Sequence, residues 1–308
     1  MVYDRFASCA LIQSGGIVKK YLISVVAIAS LLGAIAIFYM PKKTNEVSVS
    51  GRAGSSIASS SAVLGDKSAA NLGNNAQLAN SRSAEYLLKF EDVKSKASHG
   101  DPKAQLELSG IYDRCFSVSI SREKYLSSIN AMAAQAGDAG SAMKATAARI
   151  ADDCALVEGG SAIPLEAQKE WLKAAADSGN IAAKVRFRVR YPSESAGNVS
   201  DLVKEAVEKK DPEAIFELTD LLSTQSQGTN LGEFETVSGD EISAYAWGVV
   251  ACQMGASCGV GSSVIDSYCL NGACSSNYEQ LVRNNLLPRG DAGKLDAKIE
   301  YINSLMKR

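Results

Sequence analysis

Four of the chain's seven cysteines fall in one stretch, CQMGASCGVGSSVIDSYCLNGAC, from Cys252 to Cys274. Cysteines this dense suit a zinc site, a set of disulfides or a reactive thiol. The stretch also contains Gly255-Ala256-Ser257-Cys258-Gly259, which matches the G-x-S-x-G pattern of a hydrolase nucleophile elbow. An elbow needs a strand before the serine, a helix after it, and a histidine downstream. Here a helical run, ISAYAWGVVACQM, precedes Ser257, and the chain's single histidine, His99, lies far upstream. Ser257 therefore reads as a turn residue. Zinc sites favour cysteines separated by two to four intervening residues. The intervals here are five, ten and four intervening residues, with no histidine nearby. One histidine also excludes the two-histidine zinc protease motif. His99 precedes Gly100 at a helix C-terminus, where a partly positive ring suits the dipole. No phosphate-cradling glycine loop with a lysine is present, and Gly259-Val260-Gly261 is a fragment with no strand before it. The expectation is no catalytic residue, no metal and no cofactor.

Disulfides and free thiols are separated by compartment. Tyr21 to Met40, YLISVVAIASLLGAIAIFYM, carries no charge over 20 positions. A helix of that length spans roughly 30 Å, one bilayer core. Lys19 and Lys20 bound it on one side and Lys42 and Lys43 on the other, with Tyr21, Phe38 and Tyr39 near its ends. We read residues 21–40 as a transmembrane signal anchor. Cleavage after Ala34-Ile35-Ala36, giving a soluble exported protein, is the alternative. Positive charges balance across the segment and do not orient it. The cysteines do: Cys9 precedes the segment, and Cys115, Cys154, Cys252, Cys258, Cys269 and Cys274 follow it. An even number on one side fits disulfides in an oxidising compartment. Residues 1–20 are then cytoplasmic and the remainder faces a bacterial periplasm from the inner membrane.

The chain has 308 residues, 46% hydrophobic and 21% charged, with net charge −2. Nothing in that balance invites nucleic acid. Residues 41–84 are rich in Ser, Ala, Gly and Asn without an apolar period, and read as a flexible linker. From residue 85 apolar residues recur at helical spacing, and four short breaks interrupt them: Gly100-Asp101-Pro102, Gly137-Asp138, Gly179-Asn180 and Lys210-Asp211-Pro212. Glycine ends a helix in the left-handed conformation. Asp or Asn caps the next helix, and proline fits its first position. Each break thus joins two antiparallel helices. The break positions Asp101, Asp138, Asn180 and Asp211 are 37, 42 and 31 residues apart, the period of helical-pair solenoids.

Trp171-Leu172-Lys173-Ala174-Ala175-Ala176-Asp177-Ser178-Gly179-Asn180-Ile181-Ala182-Ala183 resembles the Sel1-like repeat, a relative of the tetratricopeptide repeat with a W-L-x-x-A-A-x-x-G-x-x-x-A core. Gly100-Asp101-Pro102-Lys103-Ala104 with Leu108 and Tyr112 is similar to a second copy. The resemblance implies an all-α chain, an α-solenoid over residues 85–250 that binds another protein without catalysis. Residues 251–308 would form a cysteine-rich cap. Its terminal stripe of Leu295, Ile299, Ile302, Leu305 and Met306 would close the end of the solenoid.

Cys115 and Cys154 end the second helices of the first two pairs, so stacking makes a Cys115–Cys154 staple reasonable. In the cluster we expect Cys252–Cys258 and Cys269–Cys274, although four cysteines allow three pairings. Tyr112, Arg186, Arg188 and Arg190 are the candidate partner-binding residues, since aromatics and arginines anchor interfaces. VRFRVRY equally suits a solvated helix face. The functional expectation is an adaptor in the cell envelope whose partner is another protein, with no nucleic acid and no small-molecule substrate. An immunity protein that neutralises a delivered toxin is the alternative, and a thiol-redox or hydrolytic enzyme the third reading.

Overall fold

A computed structural model describes residues 68–225 and 230–307, and the readings made for residues 1–67, including the membrane span at 21–40, lie outside them. The described residues are all-helical, with a single isolated bridge between Gly259 and Asn277 in place of any strand. Among them no helix is long and apolar enough to cross a membrane.

The helices are α1 (Ser68–Ser98), α2 (Pro102–Ile120), α3 (Arg122–Ala133), α4 (Gly140–Asp153), α5 (Ala167–Asp177), α6 (Ile181–Arg190), α7 (Val199–Lys209) and α8 (Pro212–Ser223). Then follow α9 (Glu241–Gln253), α10 (Ser263–Leu270), the one-turn α11 (Tyr278–Leu281) running on into a π-turn, and α12 (Ala292–Leu305). α1 begins at Ser68, inside the stretch read as linker. At its middle, Arg82 pairs with Asp153 at 2.6 Å and the Ser83 hydroxyl donates to the Asp152 carbonyl at 2.6 Å.

Every break falls between two helices, and three of the four work by the expected capping chemistry. The Asp101 carboxylate accepts the Ala104 N–H at 2.8 Å, with Pro102 at the first helical position. The Asn180 side chain accepts the Ala183 N–H at 2.9 Å. The Asp211 carboxylate accepts from Glu213 at 2.9 Å and from Ala214 at 3.2 Å. Gly100 and Gly179 take φ of +89° and +90°. In the fourth break Lys210 adopts φ +51° in place of a glycine. The second break differs. Gly137–Ala139 form a tight 3-10 turn, Asp138 caps nothing, and α4 starts at Gly140. A side chain at Gly140 would lie 2.3 Å from the Ala133 carbonyl oxygen, so close approach there replaces capping.

Neighbour choice follows the caps. α2 packs on α1 and on α5, α5 on α6, α6 on α8, α8 on α9, and α9 on α12. The α3/α4 pair is missing from that series. α4 instead packs on α1 and α10. The first and third breaks lie side by side: the Asn180 side-chain amide donates to the Pro102 carbonyl at 3.4 Å. Two cores result. One gathers Phe90, Leu108, Ile111, Tyr112, Val118, Ile150 and the Cys115–Cys154 pair. The larger one runs from Ile181 through Leu218 and Trp247 to Met306. Trp247 is fully buried, and its indole N–H donates to the Val237 carbonyl at 2.8 Å. The terminal stripe, Leu295, Ile299, Ile302, Leu305 and Met306, is buried in the same core.

Candidate interaction face

The arginine string lies on α6, which packs against α5 and α8. In a helix, residues four apart share a face. Ala183 and Phe187 face Leu172 and Ala175 of α5 in a small separate cluster. Ile181, Ala182 and Val185 join the larger core beside α8. Arg186 and Arg190 occupy a third face, Arg188 a fourth. The alternation in VRFRVRY is therefore divided among four directions.

Arg186 donates from Nε at 2.9 Å and from Nη2 at 2.5 Å to Glu217 of α8. Arg190 donates to Asp113 of α2 at 2.7 Å. Asp113, Arg190, Arg186 and Glu217 thus form a row across α2, α6 and α8, two arginines side by side with a carboxylate at each end, on the second helices of the first, third and fourth pairs. Burial opposes the charge on Arg186, but the Glu217 carboxylate outweighs it and raises the guanidinium pKa. Gly110 of α2 lies under this row. A side chain there would meet only Arg186 Nη1, at 4.0 Å. Arg188 points elsewhere and donates to the Ser195 carbonyl at 2.8 Å.

Tyr112 is 5% exposed and packs in the first core. Its hydroxyl donates to Glu158, which also binds Lys94 at 2.8 Å through both oxygens. Burial foremost, then the Glu158 carboxylate, push the Tyr112 pKa upward. Glu158 stands in the left-handed region at φ +53°, uncommon for a side chain of this size. The structure places Tyr112 inside the protein, apart from the α6 row.

Six cysteine sulfurs stand at disulfide distance in three pairs: Cys115–Cys154 at 1.99 Å, Cys252–Cys258 at 1.96 Å and Cys269–Cys274 at 2.01 Å. These are the pairings expected from the sequence. The first joins α2 to the end of α4, a pair outside the main packing series, so its ends meet by this excursion and not by stacking of equivalent positions. The other two close the ends of α9 and α10. Ser257 is an exposed bend residue whose amide donates to Glu213 at 3.2 Å. His99 Nδ1 lies 2.7 Å from the Ser95 carbonyl at the end of α1. Among the described residues no group of three His, Cys, Asp or Glu side chains is placed to hold a metal ion.

One cluster escaped the sequence reading. Asp266 of α10 accepts from Arg114 of α2 at 2.6 Å and from Arg149 of α4 at 3.0 Å and through a second, shorter bond. Arg114 also reaches Asp153 at 3.4 Å. The Asp266 side chain is 3% exposed. Burial alone would raise its pKa, but the bonds from Arg149 and Arg114 outweigh that and hold it below the ordinary carboxyl value. The Tyr125 hydroxyl is buried beside this cluster, and burial pushes its pKa up to about 12. The partners of Asp266 lie 117 and 152 residues away, and no local pattern announces them. The chain matches no protein-family model, no curated protein and no solved structure.

Proposed function

We propose that this chain is a non-catalytic scaffold that binds another protein in the bacterial cell envelope, anchored through residues 21–40 with its helical part in the periplasm. The helix pairs α1/α2, α5/α6 and α7/α8 stack as a short Sel1-like α-solenoid, continued by α9 and α12. The partner docks on the α2–α6–α8 face. The observation that carries this reading is the charge row Asp113–Arg190–Arg186–Glu217. It spans three second helices, with Asp113 half exposed and Arg190 and Arg186 partly exposed beside it. Arginine so placed binds carboxylates and backbone carbonyls with defined geometry.

Photo-cross-linking in intact cells tests it. A photoreactive residue at Asp113 or Gly110 should trap one protein, identified by mass spectrometry, and one at Lys209 on α7 should not. Equal trapping from both positions, or trapping from Lys209 alone, would overturn the docking face. Maleimide labelling of a cysteine placed at Leu88, reached from the cytosol and not from the periplasm, would overturn the topology.

A further inference from the structure

α10 ties the two cores together. Ile265 belongs to the larger core, and Leu270 packs against the first. Asp266 carries the ion pairs to α2 and α4, and the Thr146 hydroxyl of α4 lies 3.5 Å from the Cys269 sulfur. A helix of eight residues has little stability of its own and depends on what holds its ends. A disulfide closes the chain on each side of it: Cys252–Cys258 before and Cys269–Cys274 after.

These two bonds differ from the third in access. Cys115 and Cys154 are 0% and 3% exposed. In the other two bonds one cysteine is buried, Cys258 at 8% and Cys269 at 5%, and the other, Cys252 or Cys274, is half-buried at the surface and open to attack. Thiol–disulfide exchange requires a thiolate to reach a sulfur, so access sets the order of opening.

We propose that Cys269–Cys274 is a redox-addressable latch on α10. A dithiol reductant opens it before Cys115–Cys154, and its opening releases α10 from Arg114 and Arg149. One thiolate of the reductant attacks the Cys274 sulfur, forming a mixed disulfide and expelling the Cys269 thiolate, which takes a proton. The reductant's second thiolate then attacks the reductant's own sulfur in the mixed disulfide. This frees Cys274 as a thiol and leaves the reductant as an internal disulfide. Two electrons and two protons pass to the protein. Reoxidation by a disulfide of more oxidising potential resets the latch.

The test titrates the full chain, in detergent micelles, with dithiothreitol. Opened thiols are tagged with maleimide and mapped by mass, with hydrogen exchange read in parallel. Cys269 and Cys274 should be tagged at reductant concentrations about tenfold below those that tag Cys115 and Cys154. At that stage amides of α10 should exchange about tenfold faster while those of α6 hold their protection. Opening of Cys115–Cys154 first or together would overturn the proposal, as would unchanged α10 exchange after the latch is open. The double variant Cys269→Ser/Cys274→Ser separates the latch from Cys252–Cys258: it should show the fast α10 exchange without reductant, and protected α10 amides in it would equally overturn the proposal.

Discussion

The pairs α5/α6 and α3/α4 start from similar sequences, alanine-rich helices around a glycine and an Asp or Asn. They are held in the molecule by different forces. α6 is buried on two sides, by α5 and by α8, pairs with Asp113 of α2 through Arg190, and its cap Asn180 touches the break of the first pair. α3 buries only Ile129 and Ala133, and the break after it has no side-chain cap. Its partner α4 is tied to the rest by the Cys115–Cys154 bond and by charges on Asp153 and Arg149. α4 also buries Met143, Ala147, Ile150 and Ala151, so its pair rests on apolar area together with a cross-link and the buried Asp266 ion pairs, while the α5/α6 pair has no cross-link. A helix pair can therefore leave the packing series, its break uncapped, when other bonds hold it.

Removing the cross-link should have the largest effect. Cys115→Ser/Cys154→Ser frees a loop of 39 residues, worth about 4 kcal/mol in the chain-entropy model. Urea unfolding should show that loss, with α3 and α4 gaining hydrogen exchange ahead of α5 and α6. Simultaneous gain in both pairs would break the contrast. Asp266→Asn should cost about 3 kcal/mol near neutral pH, because it leaves the Arg149 charge buried without its carboxylate. Its folded-state pKa lies below the ordinary value near 3.9, so the stabilisation is complete above about pH 4 and is lost as pH falls through the folded-state value. Stability curves of wild type and variant should therefore converge in acid, and a constant gap would refute the assignment.

The caps come next. Asn180→Ala should lower stability by about 1 kcal/mol. Asp138→Ala, at a break that uses no cap, should change it by less than about 0.5 kcal/mol. Comparable losses would mean the two breaks work alike. Smallest and opposite in sign is Gly110→Ala. A helix-interior glycine costs about 0.5–1 kcal/mol relative to alanine, and space exists for the methyl. The melting temperature should rise, and a fall would show that the row above Gly110 is packed more tightly than its distances indicate.

Legibility in the sequence followed the range of the interaction. The capped breaks at Asp101, Asn180 and Asp211 were readable because capping is settled within three residues. The pairings Cys252–Cys258 and Cys269–Cys274 were readable for the same reason, although spacing alone left alternatives. The departure of α3/α4 was not readable, since it depends on the surface α2 offers to α5. Asp138 looked like its counterparts, and only Gly140, packed under the Ala133 carbonyl, marks the difference. The arginines of α6 stood out by type, but their carboxylates lie 31 and 77 residues away. Tyr112 drew notice as an interface aromatic and proves to be a core residue bonded to a left-handed Glu158, a loop conformation that composition does not reveal. The helical start at Ser68 lay hidden in a stretch without apolar period.

The chain has two tryptophans, and they fall one to each core: Trp171 packs half-exposed against the first, and Trp247 is sealed in the second. The molecule therefore carries a separate optical reporter for each half. A dry indole emits to the blue of a wet one, so the emission of Trp247→Phe would follow the first core alone, and that of Trp171→Phe the larger core alone.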